Sequence, residues 1–299
     1  MTPLSRMELQ EKGAGSPDGL VTRILKLEPN LPIPVPIEEL CKRLDISVIR
    51  PLDTDGFEGG LITDTERSEG IILVNTGSHY FRRRFTIGHE LAHFLIPTHM
   101  PDKPGRFLCS REDMNRLTAK ETDRRARIEV EANRFSSLML MPPPALRKAL
   151  GNSAPDLEML VKMAGDFQVS KQAMSRAYTD YHEQLVAVIG IKDSRIIWIA
   201  KNRMRFPFIQ PRIGDLLPAA SLAHRTTHLP NVASALVSCL PDHWIEVKRG
   251  TAAPALYEQV YRQRDGYALL LLHLEQERDD EEEQEDIDLE RRWQPHFRR

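Results

Sequence analysis

Within the stretch RRRFTIGHELAHFLIP, Arg82 to Pro97, His89, Glu90 and His93 interrupt an otherwise apolar helical run. Residues four apart stack on one face of a helix, so His89 and His93 can reach a single metal ion. Glu90 is rotated about 100° around the axis from His89, so it flanks that ion instead of binding it. A carboxylate in that position can take the proton of a water that the metal activates. Phe85, Ile87, Leu91, Phe94, Leu95 and Ile96 make the helix apolar enough to be buried. Burying two imidazoles and a carboxylate is costly unless something pairs with them. The pattern therefore reads as a metal site and not as core histidines.

Two histidines do not hold zinc against competition. A third protein donor is expected, with the fourth position open for water. A helix expected from about Ala119 to Met141 supplies the candidates in RIEVEANRFSSLMLMP. Its apolar stripe runs through Ile128, Ala132, Phe135 and Met139, and Glu129 and Glu131 border that stripe on opposite sides. Periodicity alone does not choose between them. Whichever glutamate is not the ligand is expected to be a surface charge.

The elements that must position these groups follow from turn and breaker residues. A first helix is expected around Asp18 to Leu27, a second from about Pro36 to Leu44, and a short strand over Ile46 to Ile49. GFEGGLITD and EGIILVN read as two antiparallel strands, and GIILVN is a candidate edge for an extended peptide to pair with. The motif helix is expected near Tyr80 to Leu95, ended by Pro97 and Pro101. Thr98 to Leu117 shows no clear period and reads as a loop over the site. His79, Tyr80 and His99 lie near the motif, but sequence does not place them as oxyanion donors.

FTIGHELAHFLI followed by EVEANRFSSLMLMP resembles the ImmA/IrrE family of bacterial zinc metallopeptidases, and the resemblance extends upstream through GFEGGLI and IILVN. It covers roughly Pro34 to Pro144. The resemblance implies that the first glutamate of the E-x-x-A-N run, Glu129, is the third ligand beside His89 and His93. Asn133 would orient the site from behind the ligands. Glu90 would be the catalytic base. Ser136 stands where the family usually has a small alanine. The implied fold is α+β: a zincin-like domain with an antiparallel sheet and the motif helix. The implied cofactor is Zn2+, with Mn2+ as the alternative. The implied role is regulatory, cleaving a helix-turn-helix repressor to switch on stress-response or mobile-element genes. Competing readings are a DNA-binding regulator with a structural metal site and a toxin–antitoxin or phage-defence component. An intact Glu90 speaks against a purely structural metal, which has no need of a base.

The chain organisation expected on this basis is a flexible lead-in to residue 18, a metallopeptidase domain over 19–150 and a helix-turn-helix-like linker over 151–184. A C-terminal α+β sensor or docking domain over 185–274 and an acidic tail over 275–299 follow. In the linker, Phe167, Val169 and Ala173 have core-like spacing. Its second helix sets only Lys171 and Arg176 against Asp180 and Glu183, a poor match for phosphate, so direct DNA binding is not expected. LVAVIGIKDSRIIWIAKN reads as a hairpin turning at Asp193 and Ser194, and DGYALLLLHLE as a later strand of the same domain. His224, His228, His243 and His273 are scattered and read as structural or solvated. Eleven of the sixteen residues from Glu275 to Glu290 are acidic, which favours a solvated extension over a packed element.

A net charge of −2 recommends neither nucleic acid nor a membrane surface as a partner. The three cysteines, Cys41, Cys109 and Cys239, show no C-x-x-C spacing and suit a reducing compartment better than a disulfide framework. No apolar run approaches the roughly 20 residues of a membrane span, and the opening residues lack the apolar core of a signal peptide. A cytoplasmic protein acting on a protein substrate is the expectation.

Overall fold

Capping residues and prolines set most of the element boundaries in the structure, a computed structural model that describes residues 9, 15–100, 105–202, 204–225, 229–247 and 253–275. Most of the expected lead-in and all but the first residue of the expected acidic tail lie outside the described residues, as does His228. Ser16 caps helix α1 (Pro17–Leu27), its hydroxyl accepting from the Gly19 amide at 3.1 Å, with Pro17 in the first turn. Helix α2 (Ile37–Arg43) leads into strand β1 (Ile46–Leu52). Strands β2 (Gly59–Thr63) and β3 (Gly70–Asn75) follow, then the motif helix α3 (Tyr80–Leu95), whose bounds match the sequence expectation.

The segment expected to be a loop contains strand β4 (Arg106–Cys109) and a short 3-10 turn, Asp113–Asn115. Helix α4 (Arg124–Leu140) starts later than expected, because Asp123 accepts from the Ala126 amide at 2.9 Å and caps it there. The proline run stops α4 and also begins helix α5 (Pro143–Leu150), where Pro143 and Pro144 need no amide partner. Helices α6 (Leu157–Asp166) and α7 (Lys171–Tyr181) are joined by a turn in which Gln168 has φ +53°. Phe167 and Val169 are buried there, whereas Ala173 is half-exposed and Met174, Ala177 and Tyr178 form the buried face of α7.

The first sheet has the order β1-β3-β2-β4. β2 is antiparallel to β3, as expected, but β1 runs parallel to β3, so the sheet is mixed. This order corrects the expectation that GIILVN is an edge. β3 is paired on both sides, and the edge beside β2 belongs to β4. Pattern reading missed this because β3 alternates buried and half-buried residues, which is compatible with either position. Helix α3 packs on β2 and β3 and against α4, so the motif lies between the sheet and the second helix.

Two compact units can be distinguished, Met1–Gly151 with Met159–Tyr181 and Asn152–Glu158 with His182–Arg299. The second contains an antiparallel sheet ordered β6-β5-β9-β8-β7, formed by β5 (Leu185–Lys192), β6 (Arg195–Lys201), β7 (Val237–Cys239), β8 (Leu256–Arg262) and β9 (Tyr267–Leu274). Asp193 and Ser194, at φ +48° and +62°, make the tight β5–β6 turn. The one-turn helix α8 (Leu222–Arg225) is a minor part of this unit, which is richer in strand than an even α+β domain. Its core gathers Ile189, Trp244, Val260, Leu270 and Leu272. Among the described residues, no helix is long and apolar enough to cross a membrane.

Candidate metal centre

Two glycines let the elements around the motif approach closely. A Cβ on Gly88 of α3 would lie 2.6 Å from the Ser136 hydroxyl of α4. That hydroxyl instead donates to the Phe85 carbonyl at 2.8 Å, tying the helices together. A Cβ on Gly59 of β2 would meet Thr86 at 2.4 Å and Glu90 Oε1 at 2.9 Å. Glu90 and the strand can therefore share this space only with glycine at position 59. Serine at 136 is thus accommodated by a glycine on the facing helix.

Four donor atoms converge in the space this packing creates. His93 Nε2 lies 3.0 Å from His89 Nε2, and Glu129 Oε2 lies 3.1 Å from His89 Nε2 and 3.6 Å from His93 Nε2. Cys109 Sγ, from the end of β4, lies 3.6 Å from His93 Nε2. The donors of His89, His93, Cys109 and Glu129 all fall within 4.8 Å of one another, and all four residues are buried. A tetrahedral ion with donors about 2.0–2.3 Å away sets them roughly 3.3–3.8 Å apart, so the cluster has the dimensions of a zinc-sized site. Sequence reasoning placed three of these residues and overlooked Cys109. The run RFLC is too short for a period, and only Phe107 and Cys109 of its four residues face inward.

The neighbours of the donors fix which ring nitrogens face the centre. Asn133 donates through Nδ2 to the Asp113 and Arg116 carbonyls at 2.8 and 3.0 Å. Its Oδ1 is therefore the atom 2.8 Å from His89 Nδ1, which must carry the proton and leave Nε2 free for an ion. His93 Nδ1 lies 3.0 Å from His99 Nδ1, and His99 Nε2 lies 3.1 Å from Glu131 Oε2. A proton on His93 Nδ1 and another on His99 Nε2 satisfy the whole row and again free an Nε2. Glu131 is thus more than the surface charge expected of it: its side chain is 40% exposed, yet it holds the buried His99. Arg67 braces the same row by donating to the carbonyls of Phe94, Ile96 and His99 at the end of α3. The Phe107 ring stacks on His93 with centroids 4.6 Å apart.

Burial and charge act together on these groups. Burial lifts Glu90 to about 8, helped by the Glu129 charge and opposed by His89. Neither oxygen of its fully buried carboxylate accepts from an N–H or O–H group, and the Cys109 thiol beside it lowers it only in part. Burial acts to raise Glu129 as well, but its bonds to His89 and His93 outweigh that and hold it far below the carboxylate range. Burial lowers His93 to about 4 and His99 to about 2. Burial lowers His89 too, but the Glu129 and Glu90 carboxylates win and raise it. A metal needs these donors unprotonated, so its binding would weaken in acid.

Residues 41–179 match the family model described as the IrrE N-terminal-like domain, peptidase M78. No curated protein matches the chain. Among solved structures, a Mycobacterium tuberculosis transcriptional regulator superposes with a TM-score of 0.51 at 15% identity, covering 89% of this chain and 78% of that one. At that identity the likeness is one of fold. The matched segment contains all four converging donors and Glu90, and the family is one of peptidases. Over residues 41–179 the chain is therefore similar to the IrrE N-terminal-like domain of the peptidase M78 family.

Proposed function

We propose that this protein is a zinc-dependent endopeptidase that regulates transcription by cutting a helix-turn-helix repressor. The observation that carries the reading is Glu90: a fully buried carboxylate with neither oxygen partnered, beside a four-donor cluster. Burying such a group in charged form is costly, with only the His89 charge and the Cys109 thiol to offset it, which is out of place in a purely supporting role. His89, His93 and Glu129 would hold a zinc ion, which when bound would supply water acidified to a pKa of about 7 and polarise the scissile carbonyl. Asn133 and the His99–Glu131 pair keep the two imidazoles in the required tautomers. Glu90 takes the proton of the attacking water and passes it to the leaving amine. The open edge of β4 lets an extended peptide pair antiparallel beside the centre. The regulatory half of the proposal is supported by the peptidase family match and, more weakly, by a fold shared with a transcriptional regulator. The helix-turn-helix substrate comes from the family resemblance alone.

A second reading is favoured by Cys109. Four protein donors around zinc are the signature of a structural site, and a regulator that binds DNA without cutting would need no more. The two separate when purified protein is incubated with a helix-turn-helix repressor encoded beside it, with and without zinc and a chelator. Zinc-dependent cleavage at one bond, lost in Glu90→Gln, is expected. A metal-loaded protein that leaves every such repressor intact would establish the structural reading instead.

A further inference from the structure

Cys109 stands apart from the other three donors in where it comes from. His89, His93 and Glu129 sit on two helices that pack against each other, whereas Cys109 ends β4, which among the described residues is an edge strand paired only with β2. Its neighbour Ser110 starts a turn closed by Asp113, whose carboxylate accepts from the Ser110 amide and hydroxyl at 3.0 and 2.7 Å. The thiol is buried and converges with the cluster, so it is aimed at the position a substrate-activating water would need. Glu90, buried beside the thiol with no N–H or O–H donor to either oxygen, is a second sign that this position holds water at some stage.

We infer that Cys109 is a fourth protein donor, a thiolate that closes the metal's coordination sphere in the resting protein and yields its place when a substrate pairs with β4. Ligation exchanges the S–H bond for an S–metal bond, and the proton leaves to solvent. Opening reverses the exchange: the S–metal bond breaks, the thiolate takes up a proton from solvent, and water takes the vacated position. The strand that presents the thiol is also the strand an extended peptide would join. Substrate pairing and latch release therefore act on the same four residues. Phe107 and Cys109 share the inward face of β4, the first stacked on His93 and the second beside its Nε2, so a small shift of the strand moves both. A soft thiolate donor also selects zinc over manganese, which prefers oxygen ligands.

Ligation stands independently of the peptidase reading, while the latch rests on it. The test uses full-length protein loaded with cobalt(II), alongside Cys109→Ala and, as a variant of near-identical shape, Cys109→Ser. Expected for the unaltered protein is an intense thiolate-to-cobalt charge-transfer band in the near ultraviolet, absent from both variants while cobalt stays bound. Zinc should pass to a chelator roughly 10–100-fold more readily from the variants, at least the loss that a mere supporting partner of a ligand produces. Bound cobalt without the band would overturn ligation and leave the peptidase reading standing; failure to bind cobalt would sink both. At matched zinc occupancy, Cys109→Ala should cut its repressor about tenfold faster or more, as removal of a resting state holding nine-tenths of the molecules requires. Equal or slower cutting would overturn the latch.

Discussion

Glu90 in the first unit and Glu258 in the second are both carboxylates sealed from water, and they are treated in opposite ways. Glu258 accepts from Trp244 Nε1 at 2.5 Å, from the Ser221 hydroxyl at 3.0 Å and from the Leu222 amide at 2.7 Å. It ties the start of α8 to the buried Trp244 across β8. Glu90 accepts from no N–H or O–H group, with only the Cys109 thiol beside it. A buried carboxylate that is fully hydrogen-bonded stabilises a fold, while one left bare among histidines and a thiol costs stability and keeps its capacity for chemistry. Burial does not separate the two groups, since both are sealed from water; their hydrogen-bond partners do.

The contrast breaks first, and furthest, at Glu90. Glu90→Gln should keep its metal and lose about 10²–10⁴ in cleavage rate, with metal content by emission spectrometry and repressor cleavage read on the same sample. An empty site in this variant would make Glu90 a ligand and not a base. Glu258→Ala should do the reverse. It leaves three buried donors unpaired and should lower unfolding stability by about 3–5 kcal/mol in calorimetry or denaturant titration, with metal content unchanged. A stability loss in Glu90→Leu as large as that would show that Glu90 is held by interactions the structure does not contain.

Smaller effects sharpen the picture around the metal. Glu129→Ala should empty the site at zinc concentrations that saturate the unaltered protein. Glu131→Ala should weaken affinity by about 10–100-fold, because it frees His99 and through it the tautomer of His93. Zinc titration of both variants ranks them, and a reversed order would show that the wrong glutamate of α4 faces the centre. The smallest effect is expected at Glu58. Burial pushes this carboxyl up, but bonds from Ser78 and Arg111 and the nearby Arg82 charge outweigh it and hold it below its ordinary value near 4.5. The stability it adds is therefore complete above that pH and is lost as pH falls through the depressed value. Glu58→Gln should flatten that acid limb and change neutral-pH stability by less than about 1 kcal/mol, because the Arg111 side chain is 74% exposed.

Helix periodicity carried much of the first unit into view. α3 was legible end to end because its apolar residues recur at helical spacing, and Pro97 follows shortly after its end. The two antiparallel strands and the β5–β6 hairpin were legible because each is bounded by turn-forming residues. α4 was overextended at its start because Asp123, the cap that begins it, follows residues that pattern alone cannot separate from helix. β4 and β8 were missed for different reasons. The first is four residues long, and the second, LYEQVYR, buries Glu258 and Gln259 in its middle, which defeats any reading by hydrophobicity.

The residues themselves determined that His89 and His93 share one helix face and that Glu90 stands beside it, because helix geometry converts a spacing of four into a shared face whatever surrounds it. Sheet order, by contrast, depends on which strands find each other, and nothing local in GIILVN or RFLC encodes that one is central and the other an edge. The choice of Glu129 over Glu131 depended on the rotation of α4 against α3, set by the close approach of Gly88 and Ser136. Cys109 joined the cluster only because β2 pairs with β4 in the register that sets Gly59 opposite it. Spacing along one helix is a property of the chain. Convergence between elements is a property of their packing, and only the tertiary structure could decide it.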